Sequence, residues 1–511
     1  MTHSLKEAKR PPYGIIAILM VGAFIAFLNN TLLNVALPSI MEEFQVGPAV
    51  VQWLTTGFML VNGIMIPTTA FLIQKYSVRR LFLTAMMLFA AGTVLAGSSP
   101  VFFLLIVARM LQASGSAIMM PLLMNVMLVS FPIEKRGTAM GVFGFILMFA
   151  PAIGPTLSGW IIQHFSWRML FHFIAPIAIA IILFGFFLLK DKKDKNDLRL
   201  DLTSLLLSSL AFGGLMIGFS LAGELGWSHP FVYGTITIGV ISFVVFVLRS
   251  VKQEEPMLNF RIYKYPMFAL SSAISMVITM AMFSGILLLP IFMQTVRGFS
   301  PLETGLMLLP GAIVNAFMSP VTGRLFDLYG GRILAVTGLV ITTVTTYFLS
   351  VLTLETSFLY LAVVHAIRMF GMSMVMMPVT TNGLNELPSR FYPHGTAMNN
   401  TMQQLSGAIG TALMVTIMTN WSESAAARMW NEAVGSAAGA GLSGAALEAL
   451  EQEILIKAML EGINFSFLVA TSFSAVALIL SFFIKRAKQA PDSFEEQSTA
   501  QKKVPAKLAE N

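Results

Sequence analysis

The stretch Val101–Pro121, VFFLLIVARMLQASGSAIMMP, is an apolar run with one cation, Arg109, and one amide, Gln112, near its middle. At helical spacing Arg109, Gln112 and Ser116 lie on one face. A charge at that depth in hydrocarbon costs roughly 2.5–3.5 kcal/mol or more, so the guanidinium must face protein or a water-filled cavity. The alternative is a side chain that reaches the head groups, which requires a position closer to the helix end. The stretch therefore predicts a membrane helix that carries a functional arginine.

Most of the chain outside this stretch is also apolar. Of 511 residues, 56% are hydrophobic and 11% are charged, a composition that excludes a soluble globular protein. We expect no cleavable signal peptide, because the first apolar segment is too long. There is no cysteine, so disulfides and thiolate chemistry are excluded. Since a membrane helix needs about 20 apolar residues, the pattern predicts fourteen of them, at residues 14–37, 51–73, 81–98, 101–130, 137–162, 169–189, 202–222, 230–249, 267–293, 302–322, 333–352, 358–383, 395–419 and 462–484.

The positive charges follow the topology of these helices. With the amino terminus in the cytoplasm, 26 of the 32 Lys and Arg residues lie in cytoplasmic segments and four lie in outer segments. The remaining two, Arg109 and Arg368, lie within helices. This bias predicts that both termini are cytoplasmic. The formal net charge of +7 is therefore a sign of membrane topology, with anionic lipid head groups as its partner, and does not indicate nucleic-acid binding.

The chain also contains an internal repeat. Three motifs recur in the same order at offsets of 259, 258 and 256 residues: ARMLQASGSAIMMP at 108 and IRMFGMSMVMMP at 367, RGTAMG at 136 and HGTAMN at 394, and AIGPTL at 152 and AIGTAL at 408. Two similar six-helix units that run in the same sense are the parallel repeat of one large class of secondary transporters. Such units enclose a cavity at the midplane that opens to each side in turn.

The repeat divides the chain into five parts. We expect a cytoplasmic amino terminus at 1–13, a six-helix bundle at 14–190, and a cytoplasmic linker with two inserted membrane helices at 191–255. A second six-helix bundle covers 256–485 and includes an extracellular loop at 420–461, in which residues 446–460 are expected to form a short amphipathic helix on the outer surface. The polar tail at 486–511 has the composition of a disordered segment.

Polar side chains within the apolar segments are candidates for the cavity wall. In FLNNTLLNVALP, residues 27–38, the amides could bind a substrate or could equally link helices at about 1 kcal/mol each. We place Asn29 and Gln112 near Arg109 in the coupling site. The candidate cavity residues are Asn30, Asn34, Asn62, Asn125, Asn315, Asn382, Asn400 and Gln403.

The loop GRLFDLYGGRIL, residues 323–334, predicts a cytoplasmic latch. Asp327 can cap a helix start or pair with a basic residue in one conformation. In the matching loop of the first repeat, Gln74 stands where an acid would be, so that copy lacks the charge. The residues assigned to the latch are Arg79, Arg80, Gly323, Asp327, Gly330 and Arg332.

The segment FAPAIGPTLSGW, residues 149–160, places small residues at four-residue spacing. Such a ridge allows close helix packing, and its prolines allow a local bend. We expect it to close a cavity wall against leakage; the alternative is a packing ridge without any effect on coupling. The residues of this ridge assigned to packing are Pro151, Gly154, Pro155 and Gly159.

The group that carries protons is not obvious from the sequence. His172 and His365 are the histidines that we place inside the bilayer, and His365 is three residues from Arg368 on one helical face. A histidine can titrate near neutral pH, although a single one is more often a core residue. Glu386, at a helix end, is a further candidate.

These motifs resemble a known family. ARMLQASG is similar to the helix-4 motif of the major facilitator superfamily, and AIGPTLSG is similar to the helix-5 antiporter motif of its drug exporters. LNNTLLNVALP, SWRMLF and GTAMNNTMQQLSGAIG resemble the fourteen-helix drug:proton antiporters, most closely the lincomycin-resistance type of bacterial exporters. The resemblance covers about residues 11–485. It implies an all-α polytopic membrane protein with the major facilitator fold, built from two six-helix bundles plus two extra linker helices.

The chain departs from the family pattern at one important place. The family has an acid where this sequence has Asn29, and no acidic residue lies in the middle third of any predicted helix. A polyvalent cation in a low-dielectric cavity would need a buried carboxylate. We therefore expect neutral, zwitterionic or singly charged amphiphilic substrates rather than dications.

The sequence as a whole indicates a bacterial plasma-membrane antiporter that exports amphiphilic drugs or antibiotics, such as lincosamide-like compounds, in exchange for protons. An exporter or flippase of lipid-like or peptidic molecules is the alternative on the same fold. An intramembrane enzyme would need paired acids, a metal cluster or a Ser/His/Asp set at one depth. We expect a monomer with no cofactor, metal or nucleic-acid partner, and with the proton gradient as its energy source.

Overall fold

A computed structural model describes residues 12–51, 53–190, 200–435 and 444–489, and this part of the chain is helical with short connections. The first six membrane helices form one bundle, here called the first bundle, which a short α2 (Pro48–Val51) accompanies. Its helices are α1 (Tyr13–Phe44), α3 (Trp53–Lys75), α4 (Val78–Gly97), α5 (Phe102–Ser130), α6 (Arg136–His164) and α7 (Met169–Leu188).

The inserted pair and the second bundle follow along the chain. The pair consists of α8 (Leu202–Leu225) and α9 (Pro230–Lys252). One membrane pass of the second bundle is made of two helices, α13 and α14, which a turn at residues 374–375 separates. The helices of the second bundle are α10 (Pro266–Ile291), α11 (Pro301–Tyr329), α12 (Gly331–Phe348), α13 (Phe358–Ser373), α14 (Met376–Glu386), α15 (Tyr392–Gly435) and α16 (Gly444–Ser481).

The helices pack in the same way within each of the two bundles. In the first bundle α5 packs against α3 and α4, and in the second α13 packs against α11 and α12. The bundles meet along two seams that the repeat relates to each other, α6 against α11 and α3 against α15. The helix α8 packs on both α3 and α15, so the inserted pair covers the second seam and leaves the first uncovered.

Thirteen helical segments within the described residues are long and apolar enough to cross a membrane. They correspond to thirteen of the fourteen segments that the sequence predicts. The segment at 395–419 lies in α15, which packs between α10 and α16 but is not among the thirteen. Its first turns carry several polar side chains, which lower its mean hydropathy: Asn399, Asn400, Thr401, Gln403, Gln404 and Ser406.

The segment predicted as a long outer loop, 420–461, is helical at 420–435 and 444–461, which includes the short helix expected at 446–460. The helix α15 continues to Gly435 and α16 begins at Gly444, so the two helices extend together beyond the bundle. Alanine-rich sequence favours helix here, and two contacts hold the pair together. Trp421 stacks on Phe465 at 3.7 Å between ring centroids, and Arg428 forms a 2.8 Å ion pair with Glu461.

Asp201 joins the start of α8 to the end of α9 within the inserted pair. It caps the start of α8 through the backbone N–H of Thr203 and accepts hydrogen bonds from Arg249 and Gln253 at the end of α9. Burial alone would raise the pKa of the Asp201 carboxyl. Hydrogen bonds from Ser204, Gln253 and Arg249 outweigh burial and hold that pKa well below its ordinary value.

The low pKa of Asp201 predicts a pH-dependent contribution to stability. Because the folded protein lowers the pKa, the contribution is complete above the carboxyl's ordinary pKa, about 3.9, and is lost as the pH falls toward the folded-state value. We expect Asp201→Asn to lower the unfolding temperature in detergent at pH 7 by about 2 °C. The difference from the unmodified protein should shrink at pH 3. A difference that stays constant between the two pH values would contradict this assignment.

Candidate functional site

The guanidinium of Arg109 lies at the centre of a buried network that joins three helices. Its Nη1 donates to Oε1 of Gln112 at 2.9 Å, and its Nη2 donates to Oδ1 of Asn30 on α1 at 3.1 Å. Gln112 in turn donates to Oγ1 of Thr93 on α4 at 2.8 Å. The ring of Phe58 on α3 covers the guanidinium, with its centroid 4.4 Å from Cζ. Arg109 is only 1% exposed, so the network is enclosed in this conformation.

Close packing of α4 on α5 fixes the geometry of this network. A Cβ atom at Gly92 would lie 2.7 Å from both the carbonyl O of Ala108 and the backbone N of Gln112. A Cβ atom at Gly115 would overlap the carbonyl O of Ala85. The two glycines therefore allow the helix backbones to approach, which brings Thr93 within reach of Gln112. The small residues that follow Arg109 in the sequence serve this approach.

A second buried arginine occupies the repeat position in the second bundle. Nε of Arg368 donates to Oγ1 of Thr346 at 3.1 Å, and Nη2 donates to the carbonyl O of Ala281 at 2.8 Å and to Oγ of Ser284 at 3.4 Å. Thr346 lies on α12, the counterpart of α4, so each bundle connects its arginine to a threonine on the corresponding helix. A Cβ atom at Gly285 would overlap Nη1 of Arg368, and the arginine is therefore tightly enclosed.

Several buried polar atoms on α1, α5 and α13 have no hydrogen-bond partner within the described part of the chain. They are Nε of Arg109, Nδ2 of Asn29, Nη1 of Arg368 and Nδ1 of His365. A buried donor without a partner costs about 1–3 kcal/mol. Arg368 is tightly enclosed, and a water or ligand that bonded to one of the other atoms would remove this cost.

The two bundles are fastened together at one end of the molecule, here called the basic face and defined by the loops at residues 75–78, 131–136, 329–331 and 386–392. Asp327 of α11 accepts the backbone N–H of Gly137 and of Thr138, each at 2.7 Å, and the hydroxyl of Thr138 at 2.6 Å. Those groups form the first turn of α6, where the helix dipole favours a negative charge. Asp327 is thus a charged latch between the second bundle and the first.

The repeat-related copy of this latch is neutral. Nδ1 of His394 accepts the backbone N–H of Asn259 at 3.3 Å. Nε2 faces the carboxamide of Gln74 at 3.2 Å, across the seam between α3 and α15. The basic face therefore has one latch with a fixed charge and one formed by an amide and an imidazole.

Glycines line the seam between α6 and α11 beside Asp327. A Cβ atom at Gly141 would lie 2.5 Å from the carbonyl O of Ser319, and a Cβ atom at Gly323 would overlap the carbonyl O of Gly137. The absence of side chains at these positions allows the two backbones to touch. The first and second bundles are consequently closed against each other at the basic face.

We expect Gly323→Ala to disturb this seam. The added methyl group has no room beside Gly137, and overpacking of this kind typically costs about 1–3 kcal/mol. Unfolding temperatures in detergent should fall by several degrees. Gly159→Ala is the matched control on α6, because a Cβ atom there meets nothing within 4 Å, and it should change the unfolding temperature by less than a degree. Equal effects of the two substitutions would contradict a tight seam.

Comparison with known proteins agrees with this architecture of two bundles around buried polar groups. The family model of the Major Facilitator Superfamily matches residues 19–411. The chain belongs to the Major Facilitator Superfamily. The sequence predicts this family, the all-helical fold and a transporter rather than an enzyme, and the match confirms all three.

The relatives within the Major Facilitator Superfamily include drug-resistance proteins. The chain is 40% identical to the lincomycin resistance protein LmrB of Listeria monocytogenes, over 93% of this chain and 98% of that protein. It is 28% identical to the probable multidrug resistance protein EmrY of Escherichia coli, over 78% of each chain. The crystal structure of the human organic anion transporter MFSD10 (TETRAN) has the same fold, with a TM-score of 0.65 at 13% identity, and covers 93% of this chain and all of that one.

Several residues that the sequence assigns to a Major Facilitator cavity or coupling site lie elsewhere. Asn382 donates to the carbonyl O of Lys485 at 3.0 Å and accepts the N–H of Ala487 at 3.1 Å, so it fastens the carboxyl-terminal segment at the basic face. Glu386 accepts the N–H of Met267 at 2.7 Å and caps α10. His172 lies in the first turn of α7 and is exposed. None of the three lies beside Arg109.

The remaining candidate amides are mostly occupied within the bundles. Nδ2 of Asn62 donates to the carbonyl O of Phe58, one turn earlier. Nδ2 of Asn315 points at the sulfur of Met369 at 3.6 Å, and Nδ2 of Asn400 contacts the sulfur of Met124 across the bundle interface at 3.3 Å. Oδ1 of Asn125 is buried without a partner among the described residues, and Gln403 is half-buried on α15. The side chains of Asn34 and Pro155 lie outside the described part of the structure.

The small-residue ridge of α6 packs on α1 over part of its length. A Cβ atom at Gly154 would overlap Oγ1 of Thr31, and Ser158 donates to the carbonyl O of Leu32 at 2.7 Å. Pro151 is exposed, and Gly159 has open space where a side chain would lie. In this conformation the packing role that we assign to the whole ridge applies to its middle and not to Pro151 or Gly159.

The remaining latch candidates lie at the basic face but outside the seam. Arg79 donates to the carbonyl O of Phe186 at 3.1 Å and stacks on that ring, so it joins α4 to α7 inside the first bundle. Arg80 and Arg332 are exposed, and Gly330 adopts a φ of 82° between α11 and α12.

The tail from residue 486 is predicted to be disordered, but its first residues contact the second bundle. Arg486 donates to the carbonyl O of Asp327 at 3.0 Å. Residues 490–511 lie outside the described part of the chain.

The structure also adds residues that the sequence does not single out. Thr93 and Phe58 complete the surroundings of Arg109, and Thr138 completes the latch. Apolar and hydroxyl side chains are too common in membrane helices to signal such roles. His394 does have a signal, because it stands at the repeat position of Arg136 in the motif pair RGTAMG and HGTAMN.

Proposed function

We propose that this transporter is a proton-coupled exporter of amphiphilic compounds in a bacterial plasma membrane, with both termini and the basic face in the cytoplasm. The observation that carries the proposal is the enclosed Arg109 network, which lies in one of two repeated bundles. An arginine stays protonated in proteins. Its fixed charge can therefore respond to the arrival of a proton or a charged substrate nearby by changing partners.

Alternating access supplies the mechanism. With the basic face in the cytoplasm, the Asp327 latch and the glycine seam close the cytoplasmic side in this conformation. Loading an exported compound requires that the carboxylate leave the first turn of α6, so the bundles can separate at that end. After the compound leaves on the outer side, a proton that binds to a group in the site from that side would favour the return to the state open to the cytoplasm, where it is released. The identity of this group is not assigned.

The relatives support the choice of cargo. Their names describe lincomycin resistance and multidrug resistance, which fit an amphiphilic organic substrate. A flippase with a lateral entrance at the inserted pair is less well supported, because α8 covers the seam between α3 and α15.

Inside-out membrane vesicles test the proposal. We expect that acidification of the vesicle lumen drives uptake of an amphiphilic fluorescent dye, and that a protonophore abolishes the uptake. Vesicles without the protein are the control. Uptake that continues unchanged with the protonophore, or that occurs only for a labelled phospholipid, would contradict a proton-driven drug exporter.

A further inference from the structure

The positive charge of Arg109 has no acidic neighbour among the residues that the structure describes. Its contacts are the neutral amides of Asn30 and Gln112 and the ring of Phe58, and its Nε has no partner within the described part of the chain. A guanidinium does not lose its proton in a protein. The side chain therefore keeps a full charge that its surroundings solvate but do not neutralise.

No acid elsewhere in the bundles compensates this charge. Among the residues whose burial the structure describes, the buried charged side chains include Arg109 and Arg368, and no Asp or Glu is buried. Asp327 and Glu386 are half-buried at the basic face and are already bonded to backbone N–H groups. An unpaired buried charge is costly, so binding of an anion beside it is favourable.

Of the two arginines at the repeated position, Arg109 and Arg368, Arg109 is the one that a ligand can reach more easily. The backbone of α10 and Gly285 enclose Arg368, which bonds to the carbonyl O of Ala281. The acceptor of the Arg109 Nη2 group is instead Asn30, whose side chain is only half-buried on α1. A carboxylate that takes the place of the Asn30 amide oxygen would gain a charge-assisted hydrogen bond.

We infer that Arg109 binds a singly charged acidic group, such as a carboxylate, on the exported compound. The inference rests on the proposed function and specifies its substrate class as amphiphilic anions. The same fixed charge, with Arg368 in the other bundle, disfavours organic cations through like-charge repulsion. The compound thus supplies the negative charge that the protein lacks at Asn29 and Asn30.

Equilibrium binding to the purified protein in detergent tests this inference without any gradient. The probes share one dansyl-labelled eleven-carbon chain that ends in a carboxylate, a primary carboxamide or an amine. Because a hydrogen bond to a charged group is worth roughly 1.5–3 kcal/mol, we expect the carboxylate to bind at least about tenfold more tightly than the carboxamide. The ammonium probe should bind most weakly. Equal affinities of the three probes would overturn the inference.

Asn30→Asp provides the decisive variant, because it places a carboxylate oxygen where Oδ1 of Asn30 now accepts from Arg109. The variant should bind the carboxylate and carboxamide probes within about twofold of each other. Asn464→Asp, a half-buried position on α16 that bonds to Leu352, adds the same charge to the other bundle and should keep the original ranking. An unchanged ranking in Asn30→Asp, with an unchanged unfolding temperature, would overturn the inference.

Replacement of sulfate by chloride in the buffer separates two sources of the anion. If chloride lowers the affinity for the carboxylate probe by less than about twofold, the site is one for the compound's own acidic group. Complete displacement of that probe by chloride at moderate concentration would assign the site to a small inorganic ion and overturn the inference. A failure of proton-driven uptake with intact charge selectivity would count against the proposed coupling alone.

Discussion

Arg109→Ala is expected to abolish proton-driven uptake by inside-out vesicles. The substitution removes the charge and both donors to Gln112 and Asn30, so the three helices lose the group that joins them. Arg109→Lys should retain some transport, because it keeps a charge but cannot make the two forked contacts at once. The measurement is the initial rate of dye uptake at a fixed pH gradient, normalised to the amount of protein in the membrane.

Arg168→Ala is the matched control for this experiment. Arg168 forms a partly exposed pair with Glu43 at the opposite end of the first bundle, at 2.7 Å between Nη1 and Oε2. Exposed pairs contribute about 0–1 kcal/mol, so transport should stay within about twofold of the unmodified rate. Gel filtration of the purified Arg109→Ala variant tests whether it is folded. Full transport by a folded Arg109→Ala variant would remove Arg109 from the mechanism.

Asp327→Ala is expected to open the basic face. The carboxylate accepts three hydrogen bonds from the first turn of α6, and bonds to a charged group are worth roughly 1.5–3 kcal/mol each. Loss of even one corresponds to a shift of about ten- to a hundredfold in the equilibrium between closed and open states. Asp327→Asn should give a smaller shift, because its amide retains one acceptor oxygen.

Spin labels can measure this shift directly. The chain contains no cysteine, so Lys135→Cys and Arg324→Cys introduce two labels without a background. Both positions are exposed, and they lie on opposite sides of the seam. The distribution of distances between the labels should move to longer values in Asp327→Ala. Glu355→Ala, an exposed acid in the loop between α12 and α13, is the control and should leave the distribution unchanged. A shift toward shorter distances in Asp327→Ala would contradict the latch.

The sequence predicts the overall fold well because membrane helices are encoded locally. Length and apolar content define each helix, and the repeat of ARMLQASG as IRMFGMSM relates the two bundles. The sequence also predicts the proximity of Arg109 and Gln112, since both lie on one helical turn. It does not predict the acceptor for Gln112, because Thr93 is chosen by the approach of α4 that Gly92 allows.

The sequence gives the least information about the bonding partners of polar residues near helix ends. Asn382 and Glu386 bind backbone groups of segments that are distant in sequence, and periodicity carries no information about those partners. The sequence does not predict that His172 faces outward, because a helix with apolar residues on every side gives no sign of which face is buried. The described parts of the outer segment, 420–435 and 444–461, are helical, and contacts between α15 and α16 support both.

The most direct test of coupled exchange is proton movement driven by the substrate alone. Purified protein is reconstituted into liposomes that contain a pH-sensitive dye, with equal pH on both sides and a gradient of the transported compound. The account predicts that movement of the compound in one direction changes the luminal pH through protons moving in the other, and that Arg109→Ala shows neither flux. Movement of the compound with no change in luminal pH would contradict proton-coupled exchange.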